Sequence, residues 1–158
     1  MTNIEEILRK FGKYSHSKVQ DRDEDYVIDL CDEVLGLKAS RQHRFDFLTG
    51  DTGCKLPVDA YYEEKKLVVE YHEKQHTEDV PFFNRKKTAS GVSRGEQRKM
   101  YDERRQKVLP DYGISLIIIS YSDFEYDKQK RIKRDRTSDL KIVKEKLDRF
   151  LNEPENTK

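Results

Sequence analysis

The chain has 158 residues, 34% of them apolar, which is enough for one compact domain around a single core and too few for two comfortable ones. No run approaches the roughly 20 consecutive apolar residues of a membrane span, and the amino terminus (MTNIEEILRK) lacks the apolar centre of a signal peptide, so a cytoplasmic protein with no membrane partner is expected. Asp, Glu, Lys and Arg make up 40% of the residues while the formal net charge is only +1, so the average says nothing about partners and only local segregation of sign is informative.

In chain order, Thr2-Asn3-Ile4-Glu5 is a capping box ahead of an apolar stripe (Ile4, Ile7, Leu8, Phe11), which predicts a short helix within an N-terminal extension over 1–20. A second helix is expected from about Glu24 to Leu35, because Val27, Ile28, Cys31, Val34 and Leu35 recur at helical spacing and Gly36 is placed to end it. The period then changes to two. Residues from about Arg44 to Leu48, Leu56 to Tyr62 and Lys66 to His72 read as strands, separated by Thr49 to Gly53 and by Glu63 to Lys65.

Ser93-Arg94-Gly95-Glu96 is another capping box and opens a charged helix running to about Leu109, where Pro110 follows and Gly113 releases the chain. Ser115 to Tyr121 is a continuous apolar run of the kind found in a strand covered on both faces. A last helix, near Thr137 to Leu151, has Leu140, Val143, Leu147, Phe150 and Leu151 as its inner stripe, and 152–158 reads as a disordered polar tail. The fold expected is α/β, in α-βββ-α-β order: one domain with a mixed, mostly antiparallel central sheet of about four strands flanked by helices. Cys31 and Cys54 have no metal-ligand spacing, and read as a buried small apolar residue and a loop residue.

The stretch that can carry chemistry runs from Pro57 to His76. Asp59 and Glu70 stand eleven residues apart, one in each arm of a tight hairpin. Opposed side chains on one sheet face lie roughly 5 Å apart, so the two acids can be brought side by side. Each follows valine where a strand leaves the core. Two carboxylates there raise each other's pKa unless a cation joins them, and a hard divalent cation such as magnesium takes oxygen ligands of this kind. His72, Lys74 and His76 follow Glu70 at period two, so they share its face for as long as the strand continues. An imidazole or amine in that position can orient or deprotonate a water. Ordinary strand-end acids on a solvent-facing strand are the plain alternative.

From Glu24 to Phe124 the chain resembles the very-short-patch repair endonuclease and related small restriction-endonuclease-like proteins of the PD-(D/E)XK superfamily. The likeness rests on Glu24, Val58-Asp59, Glu70-Tyr71-His72-Glu73-Lys74-Gln75-His76, Tyr101-Asp102-Glu103-Arg104, Leu109 to Ile114, and Leu116 to Ser120, in that order over roughly two-thirds of the chain. The resemblance implies Asp59 and Glu70 as magnesium ligands, with manganese able to substitute. It puts His76 at the position of the family's active-site histidine, and Glu24 as the helix acid that completes some metal shells. His72 stands where the superfamily has Lys and these relatives have Asp, and Glu73 replaces their Gly. Lys74 then supplies the ammonium by reaching back, or His72 does its work, or the site is slow or inactive. The metal-binding cysteines of the mismatch-repair relative have no counterpart, so mismatch specificity does not carry over.

Two blocks, Arg85 to Lys107 and Lys128 to Arg136, are strongly basic and suit a phosphate backbone, although a solvated helix face or loop looks the same in sequence. Phe82 and Phe83 beside Arg85, Lys86 and Lys87 give the mix that stacks on bases and holds phosphates; alternatively they cover a core edge. Arg94, Arg98, Arg104 and Arg105 are candidates for DNA contact, or one of them pairs with Glu70 or Asp102. The function expected is a magnesium-dependent DNA endonuclease of restriction or repair type, which either forms a homodimer to cut both strands or nicks one. The alternatives are a catalytically impaired nucleic-acid-binding module on the same fold and a protein-interaction domain whose charge only solvates it.

Overall fold

The computed structural model describes residues 22–73 and 93–151, which separate into two compact units. The helix expected near the amino terminus, the segment around Phe82 and Phe83, and the polar tail lie outside these residues.

The first unit holds the sheet. Strands β1 (Ser40–Thr49), β2 (Lys55–Tyr62) and β3 (Leu67–His72) form an antiparallel meander, and β4 (Ser115–Ser120) adds to β3 in parallel, so the order is β1-β2-β3-β4. A parallel neighbour cannot be reached through a tight turn and needs a crossover. The crossover here includes helix α2 (Arg94–Asp111), which packs on β1 and β4. The sheet is mixed and mostly antiparallel, as the element order led us to expect. β1 is longer than the sequence pattern indicated, because its polar first half, Ser40 to His43, pairs with β2 without contributing to the apolar alternation. β4 differs in another way: it is an edge strand, and only its Ile119 is buried.

Phe45, Leu48, Leu56, Val58, Val68, Leu109 and Ile114 form one core cluster of this unit, with Tyr61, Tyr101, Val108 and Leu116 packed against it. Helix α2 contributes only one buried residue, Leu109, so apolar area alone does not hold it down. Polar clamps do. Arg104 donates to the Thr49 carbonyl at 2.6 Å and stands 3.6 Å from Asp51, while the Tyr101 hydroxyl accepts from Asp51 N at 3.1 Å and from Gln97 Nε2 at 3.0 Å. Ser93 caps the helix by accepting from Glu96 N at 3.2 Å. The far end includes Pro110 and stops in a Schellman motif: Ile114 N donates to Leu109 O at 3.1 Å and Gly113 N to Pro110 O at 3.0 Å. Gly113 there takes φ 72°, a left-handed value that glycine adopts without a Cβ penalty.

The clamp leaves no room at Gly50. A Cβ there would stand 2.8 Å from Tyr101 Oη and 3.1 Å from Leu56 Cδ2. Gly50→Ala is expected to lower stability by about 1–3 kcal/mol through overpacking. Urea midpoints will also show a less than additive loss when it is combined with Tyr101→Phe, since the two changes meet at one contact.

The second unit pairs α1 (Asp23–Leu35) with α3 (Arg136–Leu151). The expected stripes are the buried ones: Val27, Ile28, Cys31 and Val34 on α1, with Leu140, Val143, Leu147 and Phe150 on α3. Cys31 is fully buried and Cys54 is exposed. Two cations of the second basic block are used to knit this unit. Arg134 stands 3.2 Å from Asp23 and lies over the Tyr26 ring, and Arg136 pairs with Glu33.

α3 begins one residue earlier than its apolar pattern indicates, because Asp139 reaches back to accept from Asp135 N at 3.0 Å. Asp139 is buried, and burial pushes its carboxyl above the ordinary range although Tyr26 donates to it at 2.6 Å. Tyr26→Phe removes that donor from a buried acceptor. A loss of about 1–3 kcal/mol in chemical denaturation is expected.

Candidate active site

Asp59 comes from β2 and Glu70 from β3. The pairing Tyr62↔Leu67, Tyr61↔Val68, Ala60↔Val69, continued by one step, sets Asp59 opposite Glu70. At that step the carboxylates take part in the ladder themselves: Asp59 N donates to Glu70 Oε2 at 3.3 Å, and Tyr71 N donates to Asp59 Oδ2 at 2.8 Å. The two acids therefore share one place at the mouth of the hairpin, as their spacing required.

Glu70 is only 7% exposed because β3 is buried from Leu67 through Tyr71. Burial removes water from its carboxyl and raises its pKa well above the ordinary range; the Asp59 charge and a hydrogen bond to the Asp59 carboxyl push it further. Arg105 opposes the shift. Its Nε lies 3.2 Å from Glu70 Oε1, close enough for an ion pair. That N–H, however, is directed at the Pro57 carbonyl at 3.2 Å, and Nη2 donates to the same carbonyl at 3.0 Å. Nη1 donates to Asp102 Oδ1 at 3.0 Å. With the guanidinium held in this way, Glu70 Oε1 is a buried oxygen that accepts no hydrogen bond.

An orphaned, buried carboxylate oxygen beside a second carboxylate fits a hard divalent cation. Among the described residues no third His, Cys, Asp or Glu joins the pair. Magnesium tolerates this, since it is held by one or two carboxylates and keeps several waters. The donor set is thus sufficient for magnesium or manganese and poor for zinc, which takes nitrogen and sulfur ligands in closed sites.

His72 lies two residues beyond Glu70 on the same strand, paired with Ser120, and so on Glu70's side of β3. Lys74, His76, Arg85, Lys86 and Lys87 fall outside the described residues. Glu24 is in the first turn of α1, where Arg22 Nη2 stands 3.7 Å from it.

The helix arginines separate by role. Arg94, Arg98 and Arg105, with Gln97 and Tyr101, line an open cavity of about 320 Å³. Arg104 is instead committed to Thr49 and Asp51. Sequence reasoning left open which arginine meets Glu70; Arg105 does, and it also meets Asp102. The i,i+3 spacing of Asp102 and Arg105 was the available signal. The part played by the Pro57 carbonyl had none, because a main-chain acceptor is silent in sequence.

No protein-family model, no curated protein and no solved structure matches this chain.

Proposed function

We propose that this chain is a magnesium-dependent DNA endonuclease of restriction or repair type, acting in the cytoplasm as a PD-(D/E)XK-like enzyme. The observation that carries the reading is the convergence of Asp59 and Glu70 across β2 and β3, with one buried Glu70 oxygen left without a hydrogen-bond donor. Arg105 offsets the cost of burying such a pair only in part, since the Glu70 pKa stays raised beside it.

Asp59 and Glu70 would hold the ion, which when bound supplies a Lewis acid for the phosphate and lowers the pKa of a water. Glu70 must be ionised to do so, and Arg105 favours that form from 3.2 Å away. His72, on the same side of β3, is the described candidate for accepting the proton of the attacking water; Lys74 and His76 are the candidates further along the chain. The test is conversion of supercoiled plasmid to nicked or linear product with magnesium or manganese, against EDTA. Product form also reads whether the protein nicks or acts as a homodimer on both strands.

One observation favours a second reading. Arg105 balances Glu70 without any metal, and His72 replaces the superfamily's lysine, an arrangement suited to a nucleic-acid-binding module that does not cut. DNA binding in EDTA with no cleavage in either metal would select it.

A further inference from the structure

The cavity beside the acid pair is lined entirely from one helix face. Gln97, Arg98, Tyr101 and Arg105 follow Arg94 by three, four, seven and eleven residues, so the five form a single row along α2. At 1.5 Å of rise per residue, the row from Arg94 to Arg105 is about 16 Å long. Three of its five members are guanidiniums and none is an acid. Its floor is fixed, because the Tyr101 hydroxyl is tied to Gln97 Nε2 and Asp51 N. Its far end is Arg105, the residue 3.2 Å from Glu70.

We infer that this face is a track for the phosphates of one nucleic-acid strand, leading along α2 to the acid pair. The inference rests on the nuclease reading for its direction, and it divides the four helix arginines unequally: Arg94 and Arg98 contact phosphate, Arg105 closes the row beside the acid pair with its guanidinium held by Pro57 and Asp102, and Arg104, held by Thr49 and Asp51, lies off the row. A single phosphate would use one or two of these cations. A row about 16 Å long matches several successive phosphates, which lie about 3.4 Å apart along the axis of each strand. Guanidiniums suit the task because their planar fork meets phosphate oxygens in pairs. Arg105 ends the row and stands 3.2 Å from Glu70, so a strand lying along Arg94 and Arg98 has its backbone led toward Asp59 and Glu70.

The test is equilibrium binding of a labelled oligonucleotide, single-stranded and duplex, to the full chain in EDTA over a series of salt concentrations. Each phosphate contact adds about 0.7 (single strand) or 0.9 (duplex) to the slope of log affinity against log salt. Arg94→Gln/Arg98→Gln should therefore flatten the slope by about 1.4 on single strands or about 1.8 on duplex. Lys99→Gln/Lys107→Gln removes the same charge from exposed positions of the same helix that do not line the cavity, and should flatten it far less. Equal flattening by the two variants, an unchanged slope in the arginine variant, or no binding by the unaltered protein would overturn the track. Because no metal is present, the result stands apart from cleavage. A working track on a protein that never cuts would sink only the nuclease reading, and magnesium-dependent cutting with an indifferent arginine variant would sink only the track.

Discussion

Asp59→Ala should reduce magnesium-dependent plasmid cleavage by about 10³-fold or more, since a metal's stabilisation of the transition state is worth several kcal/mol and each 1.36 kcal/mol is tenfold in rate. The fold should survive. Asp59 contributes one acceptor, to Tyr71 N, and its removal also relieves the repulsion that raises the Glu70 pKa. The variant is thus expected to melt within a degree or two of the parent, or above it in EDTA, while losing activity. Full cleavage activity in a folded Asp59→Ala protein would remove the acid pair from the reaction. An Asp59→Asn variant separates charge from shape: it keeps an acceptor for Tyr71 N but supplies no anion.

Arg105→Ala should destabilise this unit by about 3 kcal/mol at neutral pH in the absence of metal. The substitution leaves buried Glu70 beside Asp59 with no cation, and it frees the Pro57 carbonyl and Asp102 of their donor. The loss should depend on pH in a definite direction. A carboxyl whose folded pKa is raised binds protons more tightly in the folded state. Its contribution to stability is then fully present below the unfolded value, about 4.3 for glutamate, and disappears as pH rises through the folded value. For Glu70 that window opens at the ordinary glutamate range and extends upward, further still in Arg105→Ala because the opposing cation is gone. In EDTA, the stability difference between Glu70→Gln and the parent should therefore grow in favour of Gln as pH rises from about 4 to about 8. Magnesium should narrow the difference at the high end, because a ligand that binds only the folded state adds RT ln(1 + [L]/Kd). A flat pH difference would mean that burial and the neighbouring Asp59 do not raise the Glu70 pKa.

Element order and the acid pair were legible for one reason. Both depend on local periodicity and spacing. Helical stripes at 27–34 and 140–150, alternation from Leu56 to Tyr62 and a glycine past the ends of α1 and α2 are short-range signals, and they carried α1, α2, α3 and the meander. An eleven-residue separation across a tight hairpin leaves little freedom in register, so Asp59 had to meet Glu70 once β2 and β3 paired.

What the amino-acid order could not carry lay between distant segments or on the main chain. That β4 is an edge strand depends on which strand it joins, and a fully apolar run reads the same at an edge as in the middle. The fates of Arg104 and Arg105, adjacent and chemically identical, diverge because a helix turns by about 100° per residue. One points to the Thr49 carbonyl and Asp51, the other to Pro57, Asp102 and Glu70. That two carboxylates face each other on neighbouring strands follows from residue order and spacing alone. Which cation stands beside them depends on how helix α2 is rotated against the sheet, and the carbonyls that fix this rotation have no letter of their own.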